Sequence, residues 1–231
     1  MSISRRSVLL GMTSFALAGC VTQNQATVQT AASNVYRPDP YYVAMYGPIT
    51  TEPWPIAGVD VSKIDPRLLR QEVAYSTPEK PGTIVVDPGA RFLYLVRENG
   101  KALRYGVGVG REAAFNFVGE ASIERKAEWP RWTPTKDMIA REPERYGPYA
   151  DGMDGGPDNP LGPRALYLYQ NGRDTLYRIH GTTQPHTIGT QVSSGCIRLF
   201  NQDIIDLYRR VPLGTKVVVL PASPNASQNV S

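Results

Sequence analysis

Cysteine and histidine are nearly missing from this chain, with two of each among 231 residues. Two cysteines exclude a disulfide-stapled scaffold, so stability must come from an ordinary core. No Cys-x-x-Cys and no His-Glu-x-x-His occurs, and the spacing of His180, His186 and Cys196, H-x5-H-x9-C, fits no zinc pattern. No block of Lys or Arg and no basic helix appears; the formal charge of +4 falls to +2 without Arg5 and Arg6, which excludes nucleic acid as a partner. The apolar run from Val8 to Leu17 is too short for a convincing membrane span. There are no internal repeats. "GVGVGRE" lacks the helix a dinucleotide loop needs, and "DGMDGGPD" lacks calcium-loop spacing.

What is present is arranged at the two ends of the chain. Arg5 and Arg6 precede the apolar run, which is followed by small residues and Cys20, the layout of an export signal over residues 1–19. "SRRSVLL" resembles a twin-arginine signal with valine in place of phenylalanine, and "LAGC" resembles the bacterial lipobox, in which the cysteine carries lipid. On that reading Cys20 is lipidated and residues 20–40 form a polar tether. Val21 lacks the aspartate associated with inner-membrane retention, so the expected address is the periplasmic side of the outer membrane. Cys196 then has no second cysteine to join, which leaves intermolecular pairing or a working thiol.

Residues 41–81, rich in Pro and Tyr, are expected to lie as an extended arm on the domain, with one short helix over Asp65–Val73. From residue 82 the texture turns to short β-branched and aromatic runs, "TIVVD", "RFLYLV", "ALRYGVGVG", "ASIERKAEW", "ALYLYQ", "TLYRIHG" and "KVVVL", with hairpin signals at Asn99-Gly100 and "NGRD". This predicts a mainly β fold of about seven strands over residues 82–220. One helix is well signalled by "NQDIIDLYRRVPLG": Asn201 caps, Asp203 and Asp206 sit early, Arg209 and Arg210 late, and Ile204, Leu207, Tyr208 and Val211 form a stripe. A shorter one is expected over Thr135–Glu142. Residues 221–231 are disordered by composition.

The decisive stretch is "HGTTQPHTIGTQVSSGC", residues 180–196, which confines both histidines and one cysteine. A metal site, a nucleophilic cysteine with a histidine base, or coincidence in a packed loop would each produce it. His180 ends a predicted strand and Cys196 sits in a turn before the helix. A thiol of ordinary pKa is mostly unreactive at neutral pH, so a nearby imidazole is needed to form thiolate. That imidazole needs its own orienting partner, a place a backbone carbonyl can fill.

"HGTTQPHTIGTQVSSGCIRLFNQDI" resembles the signature of L,D-transpeptidases of the YkuD type, and "GGPDNPLGPRALYLY" and "VPLGTKVVVL" match segments that flank it. The resemblance covers roughly residues 82–220. It implies an L,D-transpeptidase-like β-sandwich or barrel, no cofactor, and acyl transfer on peptidoglycan stem peptides. Residue by residue, Cys196 matches the nucleophile, His180 the general acid/base, and Gly181 the residue whose carbonyl orients His180; the Gly195 and Cys196 amides fall where oxyanion donors belong. Arg198 matches an arginine suited to a substrate carboxylate, with an ion pair to an aspartate of the following helix as the alternative. Ser194 replaces the usual histidine before Gly-Cys and stays a substrate-side position. Trp132 and Tyr149, with Trp129 nearby, are expected to line the cleft under a cover of residues 133–158, and His186 to line or cover the groove. The acyl acceptor stays open between another stem, an outer-membrane protein and water, and a non-catalytic wall-binding scaffold remains the alternative class.

Overall fold

The computed structural model describes residues 38–111, 117–193 and 195–222, with the backbone alone at Val192 and Ser193. The export signal, Cys20, Ser194 and the last nine residues lie outside the described residues. The arm contributes helix α1 (Pro40–Met45), single 3-10 turns at Val61–Lys63 and Pro66–Leu68, and strand β1 (Gln71–Ala74). Strands β2 (Ile84–Asp87), β3 (Phe92–Arg97), β4 (Lys101–Gly106), β5 (Val109–Gly110) and the ten-residue β6 (Gly119–Glu128) follow. Helices α2 (Lys136–Arg141) and α3 (Pro143–Tyr146) come before β7 (Arg164–Gln170) and β8 (Arg173–His180). Strands β9 (Gln191–Ser193) and β10 (Ile197–Arg198), helix α4 (Asn201–Arg210) and strand β11 (Lys216–Val219) complete the described chain.

The mainly β expectation holds. Among the described residues nine strands form one mixed sheet in the order β1-β4-β3-β2-β11-β6-β7-β8-β10, and β5 pairs with β9 beside it. The two hairpin signals close as expected: Asn99 and Gly100 have φ of 60° and 66°, and Asn171 and Gly172 have 52° and 70°, the left-handed pairs that match the twist of the flanking strands. Alternation sorts the side chains between two faces. Ile84, Val86, Leu93 and Leu95 enter the main core, while Val85, Phe92, Tyr94 and Val96 build a smaller cluster on the opposite face. The sheet curls until its β10 edge meets the stretch after β4, where Gly108 and Arg198 exchange backbone hydrogen bonds of 2.9 and 2.8 Å. Helix α4 fills the main core with Ile204, Leu207 and the adjoining Val211.

Two local expectations are overturned. Residues Asp65–Val73 are not a helix. Asp65 caps one 3-10 turn through a 2.9 Å bond from Arg67 N, and the chain then runs out as β1 against the edge of β4, with Gln71 opposite Arg104 and Ala74 opposite Lys101. An open sheet edge satisfies that backbone better than an isolated helical turn. At α4 the N-cap is Phe200, without a side-chain bond, and Asn201 turns back to accept from Thr182 N at 2.8 Å. Asp203 does sit in the first turn of α4, as expected, but it is fully buried, and the Tyr46 hydroxyl donates to its carboxylate with the two oxygens 3.0 and 2.9 Å away. Its pKa is pushed up to about 7, by burial first and by Asp206, against the pull of Arg70 and Tyr46.

Tyr46 belongs to the arm, so α4 is what holds the arm down. Gln202 adds to this, its Nε2 donating to Gly47 and Ala57 carbonyls at 3.1 and 3.0 Å. Further along, Glu52 takes a bidentate pair of bonds from Arg164, 2.9 and 2.7 Å, and a third from Trp129 Nε1 at 2.9 Å. Burial alone would raise the Glu52 pKa, but these donors hold it below the usual carboxylate value. Arg164 opens β7, and both partners of the pair are 8% exposed. Removing one member of a buried pair strands the other charge. Glu52→Ala is therefore expected to lower unfolding stability by about 3 kcal/mol in a urea melt, and a loss within experimental error would show that the arm contributes nothing through this contact.

Candidate active site

The strand β8 ends at His180, and β10 lies parallel to it with Ile197 opposite Ile179 and Arg198 opposite His180. Because neighbours in register share a face, Ile179 and Ile197 point into the core, where they are 0% and 4% exposed. His180 and Arg198 therefore turn to the other face, and Cys196, two residues before Arg198, turns with them. All three line one cleft of about 540 Å³, a volume suited to a small peptide ligand.

His180 is 4% exposed, and its Nδ1 lies 2.6 Å from the Gly181 carbonyl oxygen. A carbonyl can only accept, so Nδ1 carries the proton and Nε2 is the basic atom of the ring. The contact needs a residue without a side chain: a Cβ on Gly181 would stand 2.3 Å from Asn201 Oδ1 and 2.9 Å from Pro163 Cδ. Burial, reinforced by the charges of Arg198 and Arg178, pushes the His180 pKa down to about 3 against the upward pull of the Gly181 and Leu161 backbones. Cys196 is half-buried, with its thiol 4.0 Å from the Leu176 carbonyl oxygen. Burial pushes the thiol pKa up, opposed by the Arg178 backbone and the charges of Arg178 and Arg198. Burial thus favours the neutral form of both groups, so the thiolate that sequence reasoning assigned to a histidine base has to be formed during reaction.

Gly195 precedes the thiol at φ 128°, a conformation open to glycine and strained for other residues, and it is buried. Arg198 lines the cleft with Nη1 3.3 Å from Gln184 Oε1. Burial pulls its pKa down, against Cys196 and Tyr146. Among the described residues it meets no carboxylate: Asp203 is taken by Tyr46 and Arg70, and Asp206 by Arg70, Arg210 and Tyr105. The helix ion pair considered from sequence does not form.

The far wall comes from the segment 133–158. The short helix expected over Thr135–Glu142 forms as α2, and Thr135 caps it through a 3.2 Å bond from Met138 N. Trp132 and Tyr149 line the cleft, their rings 5.9 Å apart, and Tyr146 stands 6.2 Å from Trp132. The base of this wall is tied by Asn159, which is 1% exposed and donates to the Pro130, Met153 and Asp154 carbonyls. Two aromatic or imidazole expectations fail. Trp129 faces the arm, against Glu52 and Trp54, and is not part of the cleft wall. His186 sits exposed on a 3-10 turn outside the cleft, so His180, His186 and Cys196 do not form a donor set. Thr182, Gln184, Tyr146 and Leu176 line the cleft and were not singled out by sequence. The first two lie inside the histidine–cysteine stretch, the one signal that would have found them.

Residues 81–219, more than half of the chain, match the YkuD L,D-transpeptidase catalytic domain. The chain belongs to this family. Two relatives from Escherichia coli K12 agree: the probable L,D-transpeptidase ErfK/SrfK is 36% identical over 153 residues, 65% of this chain, and the probable L,D-transpeptidase YbiS is 43% identical over 116 residues, 50% of this chain. The matched stretch is 47% and 36% of those relatives' own lengths, so the chain spans about half of them or less. A solved structure from Brucella melitensis, described as a probable carnitine operon oxidoreductase caia, is 55% identical, covering 70% of this chain and 99% of that one with a TM-score of 0.47. Among the described residues no helix is long and apolar enough to cross a membrane.

The electrostatics give a pH signature for this family member. His180 keeps one charge state from about pH 4 upward, because its pKa lies near 3. The thiol titrates above its ordinary range. Alkylation of Cys196 by iodoacetamide should therefore rise steadily with pH past 8.5, without an inflection near 6.5. A plateau at pH 6–7 would instead reveal a resting thiolate–imidazolium pair.

Proposed function

We propose that this chain is a cysteine-dependent acyltransferase acting on peptidoglycan stem peptides. The observation that carries the reading is the placement of Cys196, Arg198 and His180 on one face of the β8–β10 pair, with His180 Nδ1 held by the Gly181 carbonyl.

In this mechanism the donor is a stem tetrapeptide. Its carboxylate docks on Arg198, whose guanidinium lacks a carboxylate partner among the described residues and is shaped for a two-pronged contact. Cys196 Sγ attacks the carbonyl of the third, L-centred residue as His180 Nε2 takes the thiol proton. Coupling the two events avoids forming a bare thiolate in a site that disfavours one. The Gly195 and Cys196 amides face the developing oxyanion. The C–N bond breaks, the amine of the terminal D-alanine leaves with the proton from His180, and a thioester remains. An amine acceptor then attacks the thioester carbonyl and gives its proton to His180; the C–S bond breaks, the sulfur takes that proton back from His180, and the donor leaves joined to the acceptor by a new amide bond. Ser194 and the aromatics Trp132 and Tyr149 belong to the substrate side of this scheme.

The test incubates the full chain and a Cys196→Ala variant with a purified disaccharide-tetrapeptide and reads products by mass spectrometry. A crosslinked dimer lacking one D-alanine, absent with the variant, is expected. Tripeptide alone would make water, or a protein amine missing from the assay, the acceptor. No product and no acyl-enzyme on Cys196 would sink the reading in favour of a wall-binding scaffold.

The same proposal places the protein in the periplasm, anchored by lipid on Cys20 and facing the wall from the outer membrane. A tether of this kind raises the effective concentration of the enzyme at its polymer substrate. Radiolabelled palmitate should enter the full chain and fail to enter a Cys20→Ala variant; equal labelling of both would remove the anchor.

A further inference from the structure

Strand β8 is interrupted beside the candidate nucleophile. Its register with β7 runs Tyr167 opposite Arg178 and then Tyr169 opposite Asp174, so Leu168 faces the three residues Thr175, Leu176 and Tyr177. The loop-out is fixed from several sides. Asp174 and Arg178 form a bidentate pair at 2.6 and 2.8 Å, although four residues of continuous strand would separate them by about 13 Å. Asp174 Oδ1 also accepts from Leu176 N at 2.8 Å, and Thr175 Oγ1 donates to the Leu168 carbonyl at 2.6 Å. The Arg178 guanidinium stacks on Tyr167, 4.2 Å from its ring centre.

At the apex stands Leu176, with φ 65° and 60% of its surface exposed. Both features count against leucine. A left-handed backbone sets its Cβ against its own carbonyl, and asparagine or glycine would adopt the conformation with less strain. Its side chain also gains little burial from the fold. Yet this residue lines the cleft, and its carbonyl oxygen is 4.0 Å from Cys196 Sγ. Strain that the surroundings enforce beside a reacting atom points to use rather than to packing.

We propose that Leu176 is a donor-binding residue: its side chain covers the aliphatic carbons of the acyl donor next to the scissile carbonyl. The proposal rests on the acyl-transfer reading above. A donor seated for attack by Cys196 lies beside the apex of the bulge, and its methyl and methylene groups would bury the exposed leucine. The bulge thus supplies apolar recognition to a cleft that is also lined by the Arg198 cation. Contact of this sort serves bound substrate and transition state alike, so it acts on KM more than on kcat.

The test compares Leu176→Asn, Leu176→Gly and Leu176→Met with wild type, using the full chain and the disaccharide-tetrapeptide. The asparagine and glycine variants should show KM raised about tenfold, the loss expected when most of a leucine side chain is no longer buried. Their kcat should stay within twofold, their melting temperature should equal or exceed that of wild type, and Cys196 should alkylate at the wild-type rate. Leu176→Met should restore KM. Unchanged KM in both the asparagine and glycine variants would overturn the proposal. So would a fall in kcat accompanied by a changed alkylation rate, which would assign the effect to the carbonyl beside the thiol. Wild type inert on the donor would sink the acyl-transfer reading itself and this proposal with it, whereas active wild type with indifferent variants sinks the proposal alone.

Discussion

Two residue pairs, Ile179 with Ile197 and Arg198 with His180, join the strand that carries the histidine to the loop that carries the cysteine. A parallel pairing this short could not hold by itself. It is bracketed by Gly108 exchanging backbone bonds with Arg198 on one side and by α4, which begins three residues later, on the other. Ile197 and Leu199, on either side of the arginine, are sunk in the main core at 4% and 0% exposure. The register cannot slip by one residue without turning Cys196 and Arg198 into the core and an isoleucine into the cleft. The site is therefore specified by hydrophobic burial on the face it does not use.

The same burial sets the chemical character of the pair. Shielding from water disfavours the imidazolium and the thiolate together, so neither Arg178 nor Arg198 is enough to hold a charge on sulfur at rest. A neutral resting pair is less exposed to adventitious oxidation than a thiolate would be, since thiolate character drives that chemistry. Arg198 is drawn into the same compromise. Its backbone is part of the sheet and its guanidinium lines the cleft, so one residue ties the scaffold to the charge of the candidate site.

How much of this could be read from the chain depends on the range of the interaction concerned. Asn99-Gly100 and "NGRD" fixed two hairpins because the left-handed turn is a local property of those residues. The histidine–cysteine stretch pointed to His180 and Cys196, which do line one cleft, because both residue types are so rare. The Asp65–Val73 segment misled because its local pattern fits a helical turn, while the competing β4 edge lies thirty residues downstream. Asn201 looked like a helix cap for the same reason, its real partner Thr182 being on another loop. The bulge at Leu176 left no trace at all: "TLYRIHG" alternates as an unbroken strand would, and a leucine gives no warning of a positive φ. The shift of the thiol toward neutrality was invisible too, since it follows from burial and not from spacing.

The arm has its partners far away along the chain. Tyr46 meets Asp203 across 157 positions and Glu52 meets Arg164 across 112. A polypeptide made from its N-terminus supplies the arm long before α4. The arm cannot dock before nearly the whole domain has been made, and loop closures of this length are slow to form. Docking of the arm on α4 thus follows synthesis of the strand of His180 and the loop of Cys196. A chain that stops short of Cys196 holds only part of the candidate site.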